Sequence, residues 1–82
     1  MMQVPHSMQT YFIITFKTTT QALIMERKAK AFCKPGRIIP LPVSISAGCG
    51  LCWASDEREE AVWEAFCREQ NIIFEQMTEI TF

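Results

Sequence analysis

The most restrictive feature of this sequence is the segment 37–52, in which an apolar run is interrupted by Pro40 and Pro42 and leads into Gly48-Cys49-Gly50. Proline has no backbone N–H group, so it cannot donate a ladder hydrogen bond in the middle of a sheet. Glycines on both sides of a cysteine let the backbone bend and let a partner approach the sulfur closely. The segment therefore predicts an edge strand at 37–41 followed by a loop, 43–50, that presents a thiol.

The first third of the chain predicts a strand and then a helix. Residues 10–16 are apolar on both faces and rich in β-branched and aromatic types, which favours a central strand. Thr18 is a predicted N-cap, and Gln21 three residues later completes a capping-box pattern. The helix that follows has an apolar face of Ala22, Met25, Ala29 and Phe32 and ends at Pro35-Gly36.

The last third of the chain predicts a short strand, a helix and a final strand. Residues 51–54 are apolar, and Ser55-Asp56 is a predicted cap for a helix over 57–70. Asn71 is expected to supply the turn into a strand over 72–82, with Phe74, Ile80 and Phe82 on one side. The two tryptophans, Trp53 and Trp63, are expected to be core or shallow-groove aromatics.

The element order is β-α-β-β-α-β, which predicts an α+β, ferredoxin-like two-layer sandwich with two helices on one face of a four-stranded antiparallel sheet. Residues 1–9, which include His6, are expected to be a disordered arm, and residues 10–82 a single domain. The predicted core between sheet and helices comprises Phe12, Ile14, Phe16, Leu23, Ile39, Val62, Phe66 and Ile80.

Charge and hydropathy exclude two classes of partner. The formal net charge is −1, whereas a protein that neutralises nucleic-acid phosphates needs a basic face. The sequence has no signal-peptide pattern and no apolar run near the length of a membrane span. We therefore expect a cytoplasmic protein without nucleic-acid or membrane partners.

The four cysteines, at positions 33, 49, 52 and 67, are expected to be reduced thiols rather than an extracellular disulfide set. Cys49 and Cys52 have the spacing of one zinc hook, but Cys33 and Cys67 form no second hook, so no metal site is predicted. Cys33 and Cys67 are expected to be packing residues. No histidine is close to Cys49 in sequence, so a Cys–His hydrolase is not supported.

Three segments carry a family resemblance: 16–22 (FKTTTQA), 37–42 (RIIPLP) and 45–51 (ISAGCGL). Together they resemble the selenium/sulfur (Se/S) carrier protein-like family, a group of small bacterial proteins. The resemblance runs from about Tyr11 to the second helix. The most specific part is the proline-spaced segment that ends in Ser-Ala-x-Cys-Gly. The sequence departs from the family at Val43, where an arginine is frequent, and at Cys52, where small or aliphatic residues are usual.

The resemblance implies a role in handling sulfur or selenium, with Cys49 as the residue that carries the chalcogen. The protein would then be a carrier rather than a stand-alone enzyme. Its partners would be a protein donor, such as a cysteine desulfurase-type enzyme, and a protein acceptor, and no cofactor is predicted. Beside the cysteines at 49 and 52, the candidate binding residues are the nearby cations and the small residues of the loop: Lys17, Arg37, Ser46, Gly48 and Gly50.

Two alternatives stay open at this point. One is a non-catalytic protein-interaction module with structural cysteines, and the other is a small thiol-redox protein that uses Cys49 and Cys52. A disulfide needs Cα atoms closer than about 7 Å, whereas extended residues 49 and 52 would be about 10 Å apart. We therefore expect Cys49 to be exposed and reactive, and Cys52 to be turned into the sheet or at most to serve as a secondary resolving thiol. A homodimer would use the edge without prolines or the open face of the sheet.

Overall fold

The computed structural model describes residues 9–45 and 48–81. Most of the predicted arm, including His6, lies outside these residues, as do Ser46 and Phe82. Within them the chain forms two helices and four strands in the predicted order. These are β1 (Thr10–Thr15), α1 (Thr19–Ala31), β2 (Arg37–Pro40), β3 (Leu51–Ser55), α2 (Glu60–Glu69) and β4 (Gln76–Thr81).

The four strands form one antiparallel sheet in the order β2-β3-β1-β4. Each β-α-β unit thus leaves room for one strand of the other unit, as in the split βαβ arrangement that the sequence predicts. The Pro-bearing strand β2 is at an edge, which confirms the prediction from Pro40. The other edge is β4.

The main core lies between the sheet and both helices. Phe12, Ile14 and Trp53 project from the strands towards Trp63 and further residues of the helices. Alanines at positions 22 and 29 of α1 are fully buried, so the helix approaches the sheet closely. The rings of Trp53 and Trp63 meet edge to face, with centroids 6.1 Å apart. Of the two alternatives for the tryptophans, core or shallow groove, the structure shows the core for both.

A second, smaller cluster lies on the sheet face that carries no helix. Ile13, Cys52 and Ala54 are buried there, because strand side chains alternate between faces. Their cover comes from half-buried side chains, namely Tyr11, Ile39, Leu41, Ile45 and Ile80. The sheet therefore buries apolar residues on both faces, although helices cover only one.

Four residues of the predicted single core lie elsewhere. Ile39 and Ile80 pack in the second cluster, because their strand parity directs them to the open face. Leu23 is 51% exposed and Val62 36% exposed on the outer sides of the helices. Phe32 also points outward, at 54% exposure, because α1 ends at Ala31 and Phe32 is its C-cap.

The helix starts differ from the predictions in two details. Thr18 caps α1 by accepting a hydrogen bond from the backbone N–H of Gln21, at 3.2 Å, as predicted. The side chain of Gln21, however, does not return to Thr18; its Oε1 accepts from the N–H of Ile73 at 3.2 Å. Helix α2 begins at Glu60 rather than 57, because Ser55 Oγ accepts from the N–H of Glu57 and so closes a turn before the helix.

The end of the chain also departs from the predicted strand. Asn71 has a φ of 58°, which confirms the turn after α2. Ile72 then packs in the main core, and β4 begins only at Gln76. Phe74 packs against the main core whereas Ile80 packs on the open face, so the prediction that they share one side is wrong.

No helix in the described part of the chain is both long and apolar enough to cross a membrane.

Candidate functional site

The candidate site is the loop between β2 and β3, which is closed at its base by strand pairing. Pro40 is opposite Leu51 in the ladder, and the N–H of Leu41 donates to the carbonyl of Gly50 at 2.9 Å. A turn follows, in which the N–H of Ile45 donates to the carbonyl of Pro42 at 3.0 Å. Cys49 therefore stands just before β3, at the point where the loop returns to the sheet.

The two glycines beside Cys49 are favoured for different physical reasons. A Cβ atom at Gly48 would be 3.2 Å from the carbonyl oxygen of Lys17, so the loop lies directly against that backbone. Gly50 has no atom within 4 Å of such a Cβ, but its φ is +81°, which other residues adopt only with strain. Gly48 thus allows a close approach, and Gly50 allows the bend into β3.

The thiol of Cys49 is half-buried rather than fully exposed. It packs against the main core on the helix side of the sheet. Its Sγ donates to the carbonyl oxygen of Leu51 at 3.4 Å, within the distance range of a sulfur hydrogen bond. The thiol therefore has a defined position and is still reachable from solvent.

A carboxylate lies beside the loop that sequence reasoning did not identify. Oε1 of Glu75 accepts from the N–H of Gly48 at 3.4 Å, and the N–H of Glu75 donates to the carbonyl of Thr15 at 2.7 Å. Glu75 thereby links the loop to the end of β1. Nothing local in the sequence indicates this contact, because 27 positions separate Gly48 from Glu75.

The structure brings only one of the two predicted cations to this loop. Lys17 is exposed, and its backbone contacts Gly48 directly. Arg37 pairs with Ala54, three positions along β2 from the Pro40–Leu51 pair, which corresponds to about 10 Å. Arg37 therefore lies towards the other end of the sheet from Cys49. Ser46, the remaining predicted binding residue, is outside the described residues.

Cys52 and Cys67 are buried in different clusters. Cys52 is on the open face, where burial, together with the nearby Cys49, raises the pKa of its thiol to about 11. Cys67 is in the main core, and burial raises its pKa to about 11 as well. The expectation that Cys52 turns into the sheet is confirmed, as is the packing role of Cys67.

Cys33 does not have the predicted packing role. It is exposed, and its φ of 55° places it in the left-handed region just after α1. Helices often end with a residue in this conformation, so the backbone turn determines where the Cys33 side chain points. All four cysteines are free thiols. Among the described residues, no group of three or more His, Cys, Asp or Glu side chains is arranged to hold a metal ion.

Comparison with known proteins gives one match. The model of a family described as "Putative Se/S carrier protein-like" matches residues 11–79, which is most of the chain. No curated protein and no solved structure matches. The chain belongs to this Se/S carrier-like family, and the matched range includes the loop that carries Cys49.

Proposed function

We propose that this protein carries a sulfur or selenium atom on Cys49 and passes it between two protein partners. The observation that carries the proposal is the position of Cys49: a half-buried thiol on a loop, with no side chain on either neighbouring residue. A carrier sulfur has to enter the site of a donor and afterwards the site of an acceptor. Two flanking glycines leave that approach open. Family membership supports the same role.

The transfer needs no external oxidant or reductant. The Cys49 thiolate attacks the terminal sulfur of a donor persulfide; a new S–S bond forms, the donor S–S bond breaks, and its electron pair leaves on the donor thiolate. Transfer of the sulfur from Cys49 to the acceptor is a displacement of the same kind, in which Cys49 is now the leaving group. A nucleophile of the acceptor attacks the terminal sulfur, and Cys49 leaves as the thiolate. Selenium would follow the same scheme through an S–Se bond.

A relay fits the geometry better than a Cys49–Cys52 redox pair. Cys49 packs with the helix-side core, whereas Cys52 packs with the cluster on the open face. An internal disulfide would require one of the two thiols to leave its cluster and cross to the other side of the sheet. In this scheme Cys52 is a structural residue, and the chalcogen on Cys49 is handed to another protein.

The test is to load the protein with sulfur and locate the product. Wild-type, Cys49→Ser, Cys52→Ala and Cys33→Ser proteins are incubated with a cysteine desulfurase and cysteine, and mass spectrometry measures the addition of one sulfur atom. Cys49→Ser should lose the persulfide, whereas Cys52→Ala should retain it. Cys33→Ser is the matched control, because Cys33 is also exposed and free.

Loading of Cys49→Ser to the wild-type level would overturn the proposal, and so would a persulfide that disappears only in Cys33→Ser. Inorganic polysulfide is used as a second donor. It distinguishes two explanations of a negative result, namely that the desulfurase is not the partner and that the Cys49 thiol is unreactive. If Cys49 accepts sulfur from polysulfide but not from the desulfurase, that desulfurase is the wrong donor. If it accepts from neither, the carrier function is wrong.

A second candidate function is a protein-interaction module with structural cysteines. The observation that favours it is a groove on the helix layer, where exposed Phe32 and Val62 flank the more deeply buried Phe66. Alkylation of the native protein distinguishes the two functions. The carrier requires Cys49 to react in the folded state, whereas the module requires no reaction at Cys49 and loss of partner binding in Phe32→Ala.

A further inference from the structure

A polar cleft lies at the end of the sheet away from Cys49. It has a volume of about 330 Å³, and its lining includes Tyr11, Gly36, Arg37, Ala54 and Asp56. Known small-molecule sites begin at about this size. These residues come from the start of β1, the start of β2 and the end of β3, so three strands contribute to one cleft.

The strand register explains why these side chains meet. Ala54 is opposite Ile13 of β1 on one side and opposite Arg37 of β2 on the other. Residues directly opposite in a ladder project from the same face, so Arg37 and Ala54 share the open face with Ile13. Asp56 follows two residues after Ala54. The side chain of Ala54, which also lines the cleft, is only a methyl group.

The two charged side chains of the cleft, Arg37 and Asp56, do not take part in ion pairs that stabilise the described part of the fold. Arg37 and Asp56 are both exposed and have opposite charges, yet neither side chain has an ion-pair or hydrogen-bond partner among the residues that the structure describes. Opposite charges that face one cleft without contacting each other leave room for a ligand that carries both. Arginine favours carboxylates because its planar fork donates two parallel hydrogen bonds.

The backbone next to Arg37 and around Asp56 is conformationally constrained. Gly36 has a φ of +137°, and a Cβ atom there would be 2.6 Å from the ring of buried Trp53, so the turn before Arg37 is tightly packed. On the other side, Ser55 Oγ accepts from the N–H of Glu57 at 3.0 Å and thereby closes the turn that contains Asp56. Rigid supports of this kind preorganise a binding site.

We propose that this cleft binds a small α-amino acid as a zwitterion, with its carboxylate on Arg37 and its ammonium group on Asp56. The hydroxyl of Tyr11, which donates to Oε1 of Gln9 at 2.9 Å, forms part of the wall. The site is independent of the proposed carrier function, because it shares no residue with the Cys49 loop.

The test is a titration of the wild-type protein with L-alanine, followed by the backbone amide signals of Arg37, Ala54 and Asp56 in NMR spectra. Propanoate, which lacks the ammonium group, and ethylamine, which lacks the carboxylate, are titrated in parallel. We expect saturable shifts with L-alanine and at least about tenfold weaker binding of each analogue, since each forfeits one charged contact.

Two variants and two matched controls complete the experiment. Arg37→Gln and Asp56→Asn should each weaken L-alanine binding about tenfold or more, because each removes one charge and leaves a neutral polar side chain. Arg58→Gln and Glu60→Gln, which change exposed charges outside the cleft, should stay within about twofold of wild type.

Three results would overturn the proposal. The first is the absence of saturable shifts with L-alanine. The second is binding that persists unchanged in both Arg37→Gln and Asp56→Asn. The third is binding of propanoate as tight as that of L-alanine, which would indicate a plain anion site on Arg37. Persulfide loading of Cys49, measured on the same samples, reports on the carrier function separately.

Discussion

The two faces of the sheet are both apolar but are covered in different ways. On the helix side, aromatic residues such as Trp53, Trp63 and Phe66 interlock between the layers. On the open face, the small cluster of Ile13, Cys52 and Ala54 is covered by single side chains, among them those of the loop that leads to Cys49. A helical layer gives a deep core, whereas a loop gives a thin one. The start of the loop thus forms part of the thinner of the two covers, whereas Cys49 itself packs against the main core.

Truncation of a core side chain on the helix-covered face of the sheet should cause the largest loss of stability. Phe66→Ala removes a ring that contacts Trp63, with centroids 6.1 Å apart, and leaves a cavity between helix and sheet. We expect a loss of about 3–5 kcal/mol in the free energy of unfolding, measured by denaturant titration. That is a large part of the stability of a small domain. Val62→Ala on the exposed side of α2 is the control and should cost below about 1 kcal/mol. Equal losses in the two variants would contradict this description of the core.

Truncation of a buried side chain on the open face of the sheet should cause a smaller but measurable loss of stability. Ile13 is fully buried, so Ile13→Ala should cost about 2–3 kcal/mol, at the lower end for such truncations because the covering loop can relax into the space. The same titration measures it, with exposed Ile73→Ala as the control. A loss as large as that of Phe66→Ala would mean that the two faces are equally well packed.

The loss of stability at alkaline pH provides a further comparison of the two faces, because each face buries one thiol. Cys52 on the open face and Cys67 in the main core each have a folded-state pKa of about 11 against an ordinary value of 9.0. Between these values the unfolded chain releases the proton and the folded chain keeps it. The stabilising contribution is therefore complete below pH 9 and is lost as the pH rises towards 11.

Thermal unfolding across pH 8–11 measures this effect. Cys52→Ala and Cys67→Ala should each flatten the alkaline decline, whereas Cys33→Ala, at an exposed position, should leave it unchanged. A decline that is identical in all three variants would show that the buried thiols are not its source. A larger change in Cys67→Ala than in Cys52→Ala would identify the helix-covered face as the drier one.

The smallest expected loss of stability concerns the loop between β2 and β3, which covers part of the open-face cluster. Ile45 is half-buried against the open-face cluster, so Ile45→Ala should cost only about 1 kcal/mol. It should also speed alkylation of Cys52 in the native protein, because the cover over that thiol becomes thinner. Val43, which is fully exposed in the same loop, supplies the control Val43→Ala. Unchanged labelling of Cys52 in Ile45→Ala would show that other side chains provide the cover.

Local sequence signals determined several features of this protein correctly. The order of the six elements, the cap at Thr18, the turn at Asn71 and the edge position of the Pro40 strand all follow from chemistry within a few residues. Three short segments, 16–22, 37–42 and 45–51, likewise indicated the family that matches the chain. Such features are predictable because a missing N–H group, a side-chain cap or a left-handed turn acts on its immediate neighbours.

Only the tertiary structure decided which distant residues meet. Strand register sent Ile39 and Ile80 to the open face and directed Arg37 away from Cys49 towards Asp56. It also brought Glu75 to the Gly48 amide. The physical reason is that a side chain's face depends on strand parity and its neighbours on pairing register. Both are set by the packing of the whole sheet rather than by any short stretch of the chain.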